Sequence, residues 1–142
     1  MPRIVCAFAL FLALMLSSCS TDPEHASAEP RLDAMIDFAA RELDAPRPAN
    51  PGVWYVRHRE LRRLCRADWG CQILNQIYMR EYCRARLEVS ICQFAMVHAA
   101  AHYVLRMAGT YAGRRRTEES IVHPLARKWL KEQDGRTQAA AD

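Results

Sequence analysis

Residues 88–106 read EVSICQFAMVHAAAHYVLR, and the rest of the chain is organised around them. Between Glu88 and Arg106 lie seventeen residues without formal charge, most of them apolar. Ile91, Phe94, Ala95, His98, Ala101, His102 and Leu105 recur at i, i+3, i+4, i+7 spacing, which puts them on one face of an α-helix. Val89, Met96, Val97, Ala100, Tyr103 and Val104 cover the other faces. A helix that is apolar nearly all round belongs in the middle of a core. It makes a poor membrane span, because it holds Ser90, Gln93 and two histidines where about 20 clean apolar residues are wanted. The expected fold is therefore α+β: a small, mostly helical domain with a buried central helix and a short β-sheet or hairpin.

Working outward, residues 31–43 form an amphipathic helix with Leu32, Met35, Ile36, Ala39 and Leu43 in one stripe. Residues 44–52 (DAPRPANPG) carry three prolines and a glycine and make a stiff connector. Val53, Trp54, Tyr55 and Val56 read as a short strand. Residues 58–66 read as a short helix with Leu61, Leu64 and Cys65 turned inward. Residues 71–82 alternate and suggest a hairpin breaking at Asn75-Gln76. Gly109 is the expected C-cap of the central helix. Thr117 is the expected N-cap of a last helix, with Glu118 and Glu119 in its first turn. Pro124 would kink or restart that helix, and Val122, Leu125, Ala126 and Trp129 would face inward. The globular domain is expected over 31–135, with a frayed, disordered tail after it (136–142).

The amino terminus carries the strongest signal. Residues 1–20, MPRIVCAFALFLALMLSSCS, open with a basic residue, Arg3, followed by an apolar run over 4–16. That run is too short for an ordinary membrane helix and suits a secretory signal. Its end, Leu16-Ser17-Ser18-Cys19, resembles the lipobox of bacterial lipoproteins. The resemblance implies a leader over 1–18, a lipid on Cys19, and attachment to the membrane through that lipid. Ser20 in the next position, in place of Asp, is similar to lipoproteins sent to the outer membrane, facing the periplasm. Residues 19–30 then read as the lipidated cysteine and a flexible tether. More than one acyl chain gives stable anchoring.

Four cysteines remain in the exported chain: Cys65, Cys71, Cys83 and Cys92. Export to an oxidising compartment and an even count predict two disulfides. Of three pairings, the favoured one joins Cys65 to Cys71 and Cys83 to Cys92. A zinc site made of all four is disfavoured, because no C-x-x-C pair is present.

Composition excludes less. The formal net charge is +4, and among 20 basic residues only Lys128 and Lys131 are lysines. So small an excess does not argue for nucleic acid. There is no phosphate-cradling glycine loop.

His98 and His102 stand one helical turn apart, the spacing at which a helix offers two imidazoles to one metal ion. A purely structural helix also produces that spacing. The order of elements, the segment FAMVHAAAHYV (94–104) and the later Arg127-Lys128-Trp129-Leu130 resemble a family of small bacterial envelope proteins of unknown function with a zincin-like metallopeptidase signature. The resemblance covers roughly residues 52–132 and implies a zincin-like scaffold. In H-E-x-x-H the glutamate accepts a proton from zinc-bound water. Here that place is Ala99, which cannot accept a proton. Glu118, Glu119 and His123 are candidates for the third ligand, while aligning the Trp129-Leu130 end puts Ile121 at the family's acidic position. His98, His102 and Glu119 are the ligand set carried forward, with Zn2+ or no cofactor at all. The expected function is a non-catalytic interaction or accessory module of the envelope, with an envelope protein as partner. Its rivals are a zinc-dependent hydrolase of envelope peptides or peptidoglycan, and a disulfide-stabilised helical lipoprotein of unrelated ancestry.

Overall fold

The computed structural model describes residues 25–26, 29–109 and 115–139. The leader and Cys19 lie outside the described residues. No helix among the described residues is long and apolar enough to cross a membrane.

Helix α1 (Pro30–Glu42) starts with proline at its first turn, where a missing N–H costs nothing, and places Asp33 near its positive end. Leu32, Met35, Ile36 and Ala39 are buried as the stripe requires, and Phe38 and Ala40 join them. The proline-rich connector is fastened back onto its neighbours. Arg47 bridges Asp33 and Asp37 of α1. Asn50 Nδ2 donates to Asp33 Oδ1 at 2.7 Å, and the Tyr103 hydroxyl donates to the Ala49 carbonyl at 2.8 Å.

The sheet has strand order β1-β2-β4-β3, where β1 is His25–Ala26, β2 Gly52–Val56, β3 Gly70–Ile73 and β4 Gln76–Arg80. β2 and β4 run parallel, so the chain must cross over between them. Helix α2 (His58–Cys65) and the antiparallel strand β3 form that crossover. Residues 25–26 fall inside the stretch read as a flexible tether, yet they pair antiparallel with Trp54 and Val53. The hairpin turns at Leu74-Asn75, one residue earlier than expected. Gln76 is drawn into β4 because it pairs with both Gly52 and Ile73, and its Oε1 accepts from Trp54 Nε1 at 2.7 Å. Leu74 takes the positive φ of the turn, 52°. Leu64, expected inward, is 45% exposed; Leu61 is the buried anchor of the short helix α2.

Helix α3 (Ser90–Met107) is the central element. It packs on α1, on the sheet through β3 and β4, and on α4 (Arg115–Ala139). Ten of its residues are buried, from Cys92 to Leu105. Its end is as expected: Gly109 sits at φ 69°, a left-handed conformation that glycine adopts without cost. α4 departs from expectation at three places. It begins at Arg115, so Thr117 lies within the helix instead of capping it. It passes through Pro124 unbroken, with Val122, Leu125 and Ala126 held in the core on either side. It also runs through Gly135 to Ala139, where a tail was expected, although residues 134–139 are exposed to water. Phe38 and Trp129 meet edge to face at 5.1 Å and join α1 to α4.

Both disulfides form in the favoured pairing, Cys65–Cys71 and Cys83–Cys92. Cys83 and Cys92 are completely buried and tie the turn after β4 to the first turn of α3. Closing a loop of this size restricts the unfolded chain by about 2–3 kcal/mol. Cys83→Ala with Cys92→Ala is expected to lower unfolding free energy by about that amount in urea titration. An unchanged midpoint would show that the bridge contributes nothing to the fold.

A candidate metal centre between the two long helices

The face of α3 that carries Phe94, His98 and His102 is only half-buried, while the faces carrying Ala95, Met96, Ala99, Ala100 and Val104 are closed. The small residues at 99–101 pack in the core, and the imidazoles are left at the mouth of a cleft of about 350 Å³. α4 supplies the opposite wall. Glu118 and Glu119 are adjacent on a helix and therefore point about 100° apart, so each meets a different imidazole.

The distances define the arrangement. Glu119 Oε2 lies 2.9 Å from His98 Nε2, and its Oε1 lies 3.4 Å from His102 Nε2. Glu118 Oε2 lies 3.1 Å from His102 Nδ1. Donor atoms of His98, His102 and Glu119 all fall within 4.8 Å of one another. Two ligands held about 2.1 Å from one tetrahedral ion stand about 3.4 Å apart, so this set needs only small adjustments to hold one. His123 stays at the edge of the group, 5.0 Å from the Phe94 ring and 6.2 Å from the His98 ring between centroids. Ile121 is 44% exposed, and it is Glu119, four residues along α4 from His123, that reaches both imidazoles.

Glu118 was one of three open candidates in the sequence, and its place in the structure is distinctive. It is the one charged residue buried among the described residues, 5% exposed. One oxygen, Oε2, is hydrogen-bonded to His102 Nδ1; the other, Oε1, is buried without a hydrogen-bond partner among the described residues. An ionised Glu118 only accepts, so it fixes the His102 proton on Nδ1 and leaves Nε2 bare. In that tautomer Nε2 faces Glu119 Oε1 at 3.4 Å, and a cation between them would be held by both.

Burial pushes the pKa of His98 below its ordinary value of 6.5, against the opposing hydrogen bond and charge of Glu119; the neighbouring His102 and His123 lower it further. Burial alone would raise Glu119, but the hydrogen bond from His98 and the charges of His98 and His102 outweigh it and hold its pKa below 4.5. The shift of His98 favours its neutral imidazole and that of Glu119 its ionised carboxylate, the protonation states a metal ligand needs.

The remaining cleft wall comes from Ala67, Gly70, Gln72 and the Cys65–Cys71 disulfide. Gly70 packs closely here: a Cβ would fall 2.5 Å from Met79 Sδ and 3.3 Å from the Tyr78 carbonyl oxygen, so the Met79 side chain would have to move. The sequence carried no signal for this wall, because β3 reaches the histidines only through its pairing with β4 and its packing on α3. Ala99, at the general-base place of H-E-x-x-H, is fully buried and does not line the cleft.

Comparisons with protein-family models, with curated proteins and with solved structures found no match.

The pH dependence of stability follows from the two shifts. His98 binds its proton less readily folded than unfolded, so its contribution is present above pH 6.5 and is lost as the pH falls below it. Glu119 adds a second loss as the pH falls below 4.5. In urea unfolding of the chelator-treated protein, stability is expected to decline on acidification in both windows. His98→Gln should flatten the upper one; an upper slope unchanged in that variant contradicts the assignment.

Proposed function

We propose that this protein is an outer-membrane lipoprotein of the bacterial periplasm whose domain holds a zinc ion through His98, His102 and Glu119 and serves as an accessory module without peptidase chemistry. The observation that carries the metal reading is the convergence of those three donor sets on one point, with Glu118 fixing the tautomer of His102 behind them. Two imidazoles and a carboxylate suit zinc better than magnesium or calcium, which prefer oxygen ligands alone. Three protein ligands also leave a coordination position open toward the cleft. A bound zinc ion would supply Lewis acidity there. The export and anchoring rest on the leader and lipobox of residues 1–19.

The absence of peptidase chemistry rests on Ala99. Nothing on α3 replaces the missing glutamate. A hydrolase reading is favoured by one observation only, the unpartnered Oε1 of Glu118 in the same cleft. That carboxylate is engaged with His102 through its other oxygen, which suits orientation of the ligand better than shuttling a proton.

Metal content by mass spectrometry, on protein purified without a histidine tag, is the deciding measurement. About one zinc per chain is expected, and none in the His98→Ala, His102→Ala variant. Glu118→Gln should retain zinc but bind it about 10–100-fold more weakly. No zinc in the wild type after zinc is offered would overturn the metal reading.

Ala99→Glu separates this site from a peptidase missing only its base. Because Ala99 is 0% exposed, the new carboxylate must enter the packed core. Destabilisation of about 3 kcal/mol or more is expected, with no gain of peptide hydrolysis. A stable variant that cleaves peptides would restore the hydrolase reading.

A further inference from the structure

The register of β1 shortens the link between anchor and domain. Cys19 and His25 are six residue steps apart, a reach of at most about 22 Å when fully extended. His25 pairs with Trp54 and Ala26 with Val53, antiparallel, so β1 begins at the end of the sheet where β2 finishes. β4 is parallel to β2, with Val56 opposite Arg80, so β4 finishes at that same end. The chain therefore enters β1 in the direction that runs from this end of the sheet.

That end is basic. A cleft of about 530 Å³ lies there, and Arg57, Arg80, Arg84 and Arg86 line it with a single carboxylate, Glu81. Arg57, Arg84 and Arg86 are exposed and Arg80 is half-buried. Two of the guanidinium groups sit over aromatic rings, Arg86 over Tyr82 at 4.2 Å and Arg80 over Trp69 at 4.7 Å from the ring centroid. Such stacking preorganises the planar fork that pairs with phosphate oxygens. The Tyr82 ring is 42% exposed beside them, an amphipathic side chain of the kind found at headgroup level. No contiguous run of sequence announces this patch; parallel pairing of β2 with β4 assembles it from residues 57, 80, 84 and 86.

We propose that the arginine cleft seats the phosphate groups of anionic phospholipids in the membrane that holds the Cys19 anchor, so that the domain lies against the bilayer by this end of its sheet. The proposal rests on the lipoprotein reading above. A free tether over the whole of residues 20–30 would hold the domain at distances up to about 35–40 Å, beyond electrostatic attraction to the surface. With β1 paired, the link is at most about 22 Å, so the arginines stay nearer to the surface that holds Cys19.

The test uses the whole mature chain carrying Cys19→Ser, which removes the lipid and leaves any binding to the protein surface. Sedimentation with vesicles of phosphatidylethanolamine containing phosphatidylglycerol is compared with vesicles of phosphatidylcholine alone. Binding to the anionic vesicles is expected, weakening with salt and falling about fivefold for each of Arg84→Gln and Arg86→Gln. Near-ultraviolet circular dichroism verifies that both variants are folded. Equal binding to neutral vesicles, or wild-type binding by the folded double variant, overturns the proposal. Saturable binding of inorganic phosphate to the cleft with no binding to the anionic vesicles makes it a site for free phosphate and overturns the proposal too. Incorporation of labelled fatty acid at Cys19 in wild-type cells tests the anchor separately. Its absence overturns the lipoprotein reading and the orientation with it, while its presence without vesicle binding overturns the cleft proposal alone.

Discussion

Helix α3 is buried over most of its circumference, and the rest of the structure follows from the need to cover it. α1 closes one side, the sheet another, and α4 a third. The one strip left half-open contains Phe94, His98 and His102. Imidazoles in such a strip must find partners, since an unpaired buried polar group costs about 1–3 kcal/mol. α4 provides those partners as two consecutive glutamates. The contact that encloses the core and the contact that builds the candidate site are thus the same helix–helix interface.

That coupling explains the unusual state of Glu118. A carboxylate with one oxygen buried and unpartnered is unfavourable as a purely structural feature. It becomes intelligible beside His102, whose tautomer it sets, and beside a position where a cation would collect the charge of two glutamates and the lone pairs of two histidines. The disulfides hold the pieces that surround this interface. Cys83–Cys92 secures the start of α3, and Cys65–Cys71 stiffens the wall facing the imidazoles. A domain of this size gains from such bridges, because its core alone is limited.

The two clefts divide the molecule by chemistry. Carboxylates and imidazoles gather between α3 and α4, whereas arginines gather where β2 and β4 end. The sheet connects them: β4 carries Arg80 at its last position and pairs through Met79 with Gly70, which lines the histidine cleft. Placing the basic end toward an anionic surface would fix the orientation of the candidate metal site relative to that surface without any further contact.

Local pattern carried much of the architecture. The apolar circumference of α3, the stripe of α1, the Gly109 terminus, the β-branched run of β2 and the nearest-neighbour disulfides were all legible, because each depends on residues close together in the chain. The histidine pair was legible as well, since helical spacing alone brings His98 over His102. What only the tertiary structure decided was everything that depends on distant segments meeting. Glu119 rather than His123 reaches both histidines because of the way α4 packs against α3. Leu64 is exposed because only one turn of α2 is anchored in the core. Residues 25–26 pair with β2 although the sequence around them reads as irregular, and the arginine cleft exists because parallel pairing carries Arg57 beside Arg80. Periodicity reports which face of an element is buried; it holds no information about which element will cover it.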